Sequence, residues 1–280
     1  MRQKKHSFMT ISNIAATYIG TVIGAGFASG QEILVFFTRY GIVSYIGLLF
    51  VSFLFMYIGS KILILGNQLK ASSYADMVEQ VFGKVSPFIN IYLFIAYMVI
   101  SIAMFAGAGL LFGHHREIGV VITAVLAAIA VIRGIDGLLY ANTVLIPLIF
   151  IFHIIMFAYH IYLPNRTVSS MDLSVPLLLS CIKSGSTYAS YNIILCIGVL
   201  APLGNSIRDK SVAKWGGYMG GALIGIMLIM TNYCLLTYIP DIHMDEMPLL
   251  SVAKLIHPLI GNIYLFVLWG AMFTTLIANL

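Results

Sequence analysis

The sequence predicts an all-α integral membrane protein, a bundle of several transmembrane helices that forms a single transmembrane domain over residues 1–280. Two observations predict this class. Hydrophobic residues make up 60% of the chain and charged residues only 9%, whereas about a quarter of the residues in a soluble domain are charged. The apolar residues also form continuous runs that are too long for the short alternating strands of an outer-membrane barrel.

Apolar segments long enough to span a bilayer occur along the whole chain, since a hydrocarbon core about 30 Å thick requires about 20 residues of helix. We predict eight spans, at residues 9–36, 41–66, 87–113, 117–134, 138–163, 174–201, 215–239 and 261–280. The first segment is much longer than the core of a signal peptide and has no small-residue cleavage site after a short apolar run. We therefore expect it to be retained.

The positions of the basic residues predict a cytoplasmic N-terminus, because cytoplasmic loops are enriched in Lys and Arg. With that orientation Lys183 lies within a span, and only Arg39, Arg116, Arg166 and Lys254 lie outside. The inner set is Arg2, Lys4, Lys5, Lys61, Lys70, Lys84, Arg133, Arg208, Lys210 and Lys214. The net charge of +5 is spread over short loops, so it indicates topology rather than a nucleic-acid partner.

Two of the connections between spans contain helical patterns of their own. On the inner side, residues 72–83 begin with a candidate Ser cap and end at a glycine, which predicts a short helix at the membrane surface. On the outer side, Pro248 opens a second apolar run that ends at Ile256. This outer piece is either a lid over the protein or an ordinary interfacial helix.

The first apolar segment is interrupted by small and charged residues, where a membrane helix is usually uniform. Gly20, Gly24, Gly26 and Gly30 lie within eleven residues and Glu32 follows them. Each interior glycine costs a helix about 1 kcal/mol relative to alanine. Non-helical backbone at membrane depth persists only where protein or a water-filled cavity satisfies it, and interrupted helices form the substrate sites of secondary transporters.

Close helix packing is the alternative explanation of these glycines. The pair Gly20 and Gly24 and the pair Gly26 and Gly30 both have the GxxxG spacing of close helix contacts. The glycine run at residues 216–225 in the seventh span has no acid or polar partner, and for that run we favour packing. In the first segment Ser29, Gln31 and Glu32 follow directly, and packing does not explain an acid. We therefore predict a functional break centred on residues 24–26.

The sixth segment is the other span whose middle is rich in small and polar residues, at positions 180–192. It lies five spans after the first segment, so the two helices would cross the membrane in opposite directions. Equivalent helices of an inverted repeat have this relation. The pattern predicts a second interrupted helix.

A broken first helix would offer two kinds of ligand at one place. The half that starts near Gly26 would present the unpaired N–H groups of Gly26, Phe27 and Ala28 to a carboxylate. The half that ends near Ile23 would present carbonyls to a cation. Hydroxyl and aromatic side chains of the sixth segment would complete the solute site, although Ser and Thr also bond to their own helix. The predicted solute-binding residues are Gly24, Ala25, Gly26, Phe27, Ala28, Ser184, Ser186, Thr187 and Tyr188.

Two full charges, Glu32 and Lys183, fall within predicted spans. A charge at a helix centre costs roughly 2.5 to 3.5 kcal/mol on insertion scales, so such groups usually face a cavity or each other. We predict that they act as an ion-paired outer gate or that Glu32 is a proton-coupling site. The alternatives are that Glu32 reaches the outer interface and that Lys183 extends to the surface.

Thr274 and Thr275 lie near the middle of the final segment and could supply hydroxyl oxygens to Na⁺, although adjacent threonines are common in membrane helices. Cys181, Cys196 and Cys234 lie in apolar segments without ligand spacing, which indicates packing residues. The sequence contains no nucleophile elbow, phosphate loop or metal-ligand cluster. We therefore expect no enzymatic activity and no cofactor other than a possible Na⁺.

Residues 24–32, Gly-Ala-Gly-Phe-Ala-Ser-Gly-Gln-Glu, followed by Phe36-Phe37, resemble the start of the YkvI-type bacterial membrane proteins. These are relatives of the amino acid–polyamine–organocation transporters. The resemblance runs along the whole chain and is most specific in residues 20–40. Further matches are the Ser-Tyr-Ala-Asp sequence at residues 73–76 and the Pro-Leu-Leu-Ser-Val-Ala sequence at residues 248–253.

This resemblance implies a LeuT-like fold, with two five-helix inverted repeats, discontinuous first and sixth helices and a central substrate site. The repeats would cover residues 1–163 and 174–280. In sodium-coupled relatives, carbonyls of the first helix and hydroxyls of the eighth hold Na⁺, which implies a site at Thr21, Gly24, Thr274 and Thr275. The fold needs ten helices and the chain stops at Leu280, so we expect a truncated sequence whose second repeat is incomplete.

Together these features predict a secondary active transporter of the bacterial cytoplasmic membrane. It would move a small solute, an amino acid or related metabolite, by alternating access coupled to Na⁺ or H⁺. One alternative is a membrane-embedded ligand sensor or receptor subunit of the same fold, and another is a purely structural subunit. The predicted partners are the lipid bilayer and the solute, and the sequence does not indicate an oligomeric state.

Overall fold

The computed structural model describes residues 10–161, 174–237 and 247–280. Within these ranges the chain is helical and contains no β-strand. The helices are α1 (Ile11–Val22), α2 (Ala25–Ser29), α3 (Gln31–Phe36), α4 (Ser44–Leu69), α5 (Tyr74–Phe82), α6 (Ser86–Leu110), α7 (Arg116–Ile132), α8 (Ile135–Ile161), α9 (Val175–Ser206), α10 (Lys210–Leu236), α11 (Pro248–Ile256) and α12 (Pro258–Asn279).

Seven stretches of helix in the described residues are long and apolar enough to cross a membrane. They correspond to the second to eighth predicted spans. The first predicted span is absent from this set because it is divided into α1, α2 and α3, each of which is too short alone. The protein is therefore a multi-pass integral membrane protein in contact with lipid. Its orientation and its division into repeats at residues 1–163 and 174–280 stay predictions.

The predicted break in the first segment is confirmed, and it lies at Ile23 and Gly24. α1 ends at Val22, Ile23 has ψ near 83°, and Gly24 is extended with φ −93° and ψ −167° before α2 begins. The Gly24 N–H donates to Val22 O at 3.0 Å, and the Ile23 N–H donates to Ile19 O at 2.8 Å. The carbonyls at the end of α1 are thus left without partners in a continuing helix.

A second change of direction follows at Gly30, which has φ 84° and lies between α2 and α3. Only glycine adopts this left-handed conformation without steric cost. α11 covers the turn, since a side chain at Gly30 would come within 3.1 Å of Leu249 Cβ. The start of α11 thus packs directly on the interrupted segment.

The glycines of α10 are packing residues, as predicted. Those on one face, Gly216 and Gly220, contact Ile14 and Tyr18 of α1. Those on another face, Gly217, Gly221 and Gly225, contact the α4 backbone or side chains at Ser60, Met56 and Ser52. Glycines allow helix backbones to approach closely where lipid supplies no hydrophobic drive. α10 therefore fits between α1 and α4 and supports the broken segment.

The predicted interruption of the sixth segment is wrong, because α9 is one continuous helix from Val175 to Ser206. Residues 180–192 contain a single glycine, Gly185. The hydroxyls of Ser186, Thr187 and Ser190 donate to carbonyls one turn earlier in the same helix, at 2.7 to 3.1 Å. The polar side chains are thus satisfied by the helix itself and do not require it to open.

Both predicted helices between spans are present. α5 begins with a capping box, in which the Ser73 hydroxyl accepts from the Asp76 N–H and the Asp76 carboxylate accepts from the Ser73 N–H. It ends at Gly83, as predicted. Of its apolar face, Met77 and Val78 are buried while Val81 and Phe82 are exposed. The loop before α11, residues 238–246, lies outside the described residues.

Replacing Gly30 by alanine tests the turn beneath α11. We expect Gly30→Ala to destabilise the protein by more than the roughly 1 to 2 kcal/mol of left-handed strain, because the methyl group would also press against Leu249. Gly113→Ala is the matched control, since Gly113 has φ 60° but no neighbour within 4 Å of the added atom. Thermal unfolding in detergent measures both, and equal losses would contradict the packing described.

Candidate functional site

A cavity of about 290 Å³ lies at the break in the first segment. Four parts of the chain form it: the broken segment, α6, α9 and α12. The lining residues are Thr21, Val22, Gly24, Ala25, Gly26, Glu32, Val99, Ile100, Ala103, Met104, Tyr191, Asn192, Leu195, Thr275 and Asn279. Helices that are far apart in sequence thus meet at the break between α1 and α2.

Glu32 reaches this cavity because the Gly30 turn directs α3 back over α2. A Cβ atom on Gly26 would lie 2.5 Å from the Glu32 Cδ atom, so the carboxyl group rests on the bare backbone of Gly26. Tyr191 of α9 lines the same cavity as this carboxyl group. Glycine at position 26 therefore makes the space in which the acid lies.

Thr275 of α12 joins the end of α1 from the other side. Its Oγ1 atom lies 3.1 Å from Ile23 O and 3.4 Å from Gly20 O. The Gly20 carbonyl belongs to the last turn of α1 and Ile23 follows it directly, at the end where a helix leaves its own acceptors unpaired. The Thr275 side chain is 6% exposed, so one buried hydroxyl and two carbonyl oxygens converge within hydrogen-bonding distance.

The remaining wall of the cavity is mostly apolar. α6 contributes four apolar side chains and α9 contributes Leu195. Two amides interrupt this wall. The Asn192 Nδ2 atom donates to Tyr188 O at 3.1 Å, whereas the buried Nδ2 atom of Asn279 has no hydrogen-bond partner. A few polar groups in an apolar cavity are typical of small-molecule sites.

The structure brings some of the predicted site residues to this cavity. Those that line it are Thr21, Gly24, Ala25, Gly26, Glu32 and Thr275. The Thr21 hydroxyl donates to Thr17 O at 2.8 Å, within its own helix. The carbonyls that the Thr275 hydroxyl contacts are those of Gly20 and Ile23 rather than those of the predicted Thr21 and Gly24.

Two predicted residues of the break, Phe27 and Ala28, are fully buried and do not line the cavity. Phe27 lies beside the ring of His153, with centroids 6.1 Å apart. The prediction that the Ala28 N–H is unpaired is wrong, because this N–H donates to Gly24 O at 2.9 Å. Because α2 starts one residue earlier than predicted, the N–H groups outside the helical pattern are those of residues 25–27.

The predicted residues of the sixth segment lie outside the cavity. Ser184 donates to Phe36 O at 2.8 Å, and Ser186 and Thr187 bond within α9. Tyr188 is fully buried among aromatic rings, with its centroid 5.2 Å from that of Phe37. Ser184 and Tyr188 thus hold the end of α3 against α9, and the predicted solute contacts of all four residues stay untested.

Lys183 and Thr274 also lie away from the cavity. Lys183 is exposed on α9, and it is not among the residues that line the cavity with Glu32. The predicted ion pair across the site is therefore not formed. The Thr274 hydroxyl, on the buried side of α12, donates to Ala271 O at 3.0 Å within its own helix.

Sequence patterns predicted only part of the wall. Tyr191 is one of the hydroxyl and aromatic side chains of the sixth segment that were expected at the site, whereas Asn192 and Leu195 were missed. The spacing of the three residues places them on one helical face, which is a signal in the sequence. The apolar wall from α6 had no such signal, because side chains that line a cavity and side chains that face lipid have the same composition.

Two known proteins are similar in sequence to most or all of this chain. A membrane protein of Bacillus subtilis (strain 168), the uncharacterised protein YkvI, is 32% identical over 285 residues, covering 100% of this chain and 81% of the relative. The chain belongs to the YkvI family. The uncharacterised protein YyaD of the same organism is 26% identical over 271 residues, covering 94% of the chain and 77% of its own length. No protein-family model matches.

The alignment with YkvI covers all of the chain, so it includes every residue that lines the cavity. It confirms the predicted family and the membrane location. The wider relationship to amino acid–polyamine–organocation transporters and the LeuT-like repeat stay predictions for this YkvI-family protein.

Alanine substitutions at Gly20 and Gly24 test which of these two glycines is required for close packing. A methyl group on Gly20 would lie 2.7 Å from Asn142 Cγ, whereas one on Gly24 would lie 3.4 Å from Thr275 Oγ1 at its nearest. We expect Gly20→Ala to cost about 1 to 3 kcal/mol by overpacking and Gly24→Ala to stay within about 0.5 kcal/mol. Thermal unfolding of both variants checks this, and a Gly24→Ala loss as large as that of Gly20→Ala would show that both glycines serve packing.

Proposed function

We propose that this protein is a secondary transporter of a small solute, coupled to a cation. The observation that supports the proposal is the cavity at the break of the first segment, with the Glu32 carboxylate in it. A charge within a span is costly, at roughly 2.5 to 3.5 kcal/mol on insertion scales, and usually marks a substrate, ion or proton pathway. Packing alone gives no reason to retain an acid there.

The form of the break also favours transport over a purely structural role. An unwound stretch at membrane depth costs helix stability and leaves acceptors unpaired, and it is tolerated where it lines a cavity. In discontinuous helices of transporters, half-helix ends and unwound carbonyls coordinate the substrate and the coupling ion. The Ile23–Gly24 break lies at the cavity in the same manner.

Na⁺ is the coupling ion that we propose on the basis of the donor set. Hard cations take oxygen ligands, and the Gly20 and Ile23 carbonyls lie within 3.4 Å of the Thr275 hydroxyl. These three oxygens would hold the ion, with the hydroxyl turning a lone pair toward it. Proton coupling through Glu32 is the alternative, and the two are separated by the ion dependence of solute binding.

Substitution of Thr275 tests the cation site. We expect Thr275→Val, which keeps the shape of the side chain and removes its oxygen, to raise the Na⁺ concentration required for half-maximal stabilisation at least tenfold. Thr275→Ser retains the hydroxyl and should restore it. The measurement is a thermal-shift titration with NaCl against choline chloride. No stabilisation by Na⁺ in the unaltered protein would overturn sodium coupling, and an unaffected Thr275→Val variant would overturn this site.

Uptake into proteoliposomes tests transport itself. The full chain is reconstituted with an imposed Na⁺ or pH gradient, and solutes that shift its unfolding temperature are offered with a radioactive label. We expect gradient-dependent accumulation that Glu32→Gln reduces at least tenfold while Glu117→Gln, the same change at an exposed residue of α7, leaves it unchanged. Ligand binding without accumulation would support a sensor, and the absence of any ligand from a broad panel would support a structural subunit.

A further inference from the structure

The chemistry of the cavity wall narrows the class of solute, on the assumption that the cavity is the solute site proposed above. We propose that the solute is a small organic amine, a molecule with an ammonium group and an apolar body and without a carboxylate. The juxtaposition that supports this is a lone acid, a tyrosine and an apolar wall that line one cavity.

Charge decides the polar end of the solute. Of the described residues that line the cavity, Glu32 is the one that carries a charge, and none is Lys or Arg. Lys183, the basic residue that the sequence predicted for this site, is exposed on α9. An ammonium group would donate hydrogen bonds to the Glu32 carboxylate, whereas a second carboxylate would meet a like charge in a low-dielectric space.

The fold leaves few groups at the cavity that could bind a solute carboxylate. Continuous α9 offers no second helix start at the cavity. α2 is only five residues long, so few aligned peptide dipoles stand behind its first N–H groups. The unpaired amide of Asn279 is a neutral donor that would suit a hydroxyl or carbonyl oxygen of the solute. No full positive charge is available here to compensate a carboxylate.

The apolar wall decides the other end of the solute. α6 presents Val99, Ile100, Ala103 and Met104, which would cover a hydrocarbon body rather than a second polar group. The volume of about 290 Å³ corresponds to roughly ten water molecules at about 30 Å³ each. A monoamine with a branched or aromatic hydrocarbon body of about this volume fits the cavity.

Three probes separate charge from size: isopentylamine, leucine and leucinamide. They share one branched hydrocarbon body, and leucinamide matches leucine in size without its carboxylate. Affinity is measured on the purified full chain in detergent by thermal-shift titration and isothermal calorimetry. We expect isopentylamine and leucinamide to bind at least tenfold more tightly than leucine. Equal or tighter binding of leucine, or no binding of either amine, would overturn the proposal.

Substitutions assign the binding to the acid. Glu32→Gln should lower the affinity for isopentylamine at least tenfold, and Glu117→Gln should leave it unchanged. Gly26→Ala provides a second variant that keeps the acid but displaces its carboxyl group, and it should weaken binding even if Glu32→Gln fails to fold. Unchanged amine affinity in a folded Glu32→Gln or Gly26→Ala variant would overturn the proposal.

Uptake assays test the amine site and transport separately. Amine binding that depends on Glu32, without accumulation in proteoliposomes, would contradict transport and leave the amine site intact. Gradient-driven accumulation of leucine, with no binding of the two amines, would contradict the amine site and leave transport intact.

Discussion

The structure depends on how a helix that stops inside a membrane finds partners for its backbone. α1 ends at Val22 in the middle of an apolar bundle, where unpaired carbonyls cost several kcal/mol each unless something bonds to them. The Thr275 hydroxyl of α12 lies beside two of these carbonyls. Because a threonine of α12 bonds to carbonyls at the break after α1, these two helices must pack together for the first segment to be stable.

The surrounding helices make this arrangement possible by close contact. α10 has glycines toward both α1 and α4, and Asn142 of α8 packs on Gly20. Tyr264 of α12 donates to Ala28 O, the acceptor at the far end of α2. The interrupted segment is therefore surrounded by contacts that specify its position, and the cavity is left on the side where Gly24 and Gly26 have no side chains.

Sequence patterns predicted the helical class, the second to eighth spans and the break in the first segment, because composition and glycine cost are local properties. The sixth segment shows the limit of the same argument. Its serines and threonines resemble a polar interruption, but each can bond to its own helix, and Gly185 alone does not lower helix stability enough to open it.

The cavity was only partly predictable for a different reason. Glu32 and Gly26 are close in sequence and their meeting follows from one turn at Gly30. The contacts of Thr275 with Gly20 and Ile23 join residues more than 250 positions apart, and α6 enters the wall with side chains that look like any lipid-facing surface. Such relations depend on tertiary packing and have no local pattern.

The seat of the Glu32 carboxyl group on Gly26 has a consequence for how this protein can evolve. Position 26 can acquire a methyl group only if the acid six residues later moves or is lost, so neither site is free to drift alone. A lineage that exchanged Glu32 for a shorter residue would be released from glycine at position 26. Paired replacement at these two sites would then record a past change in what the protein recognises.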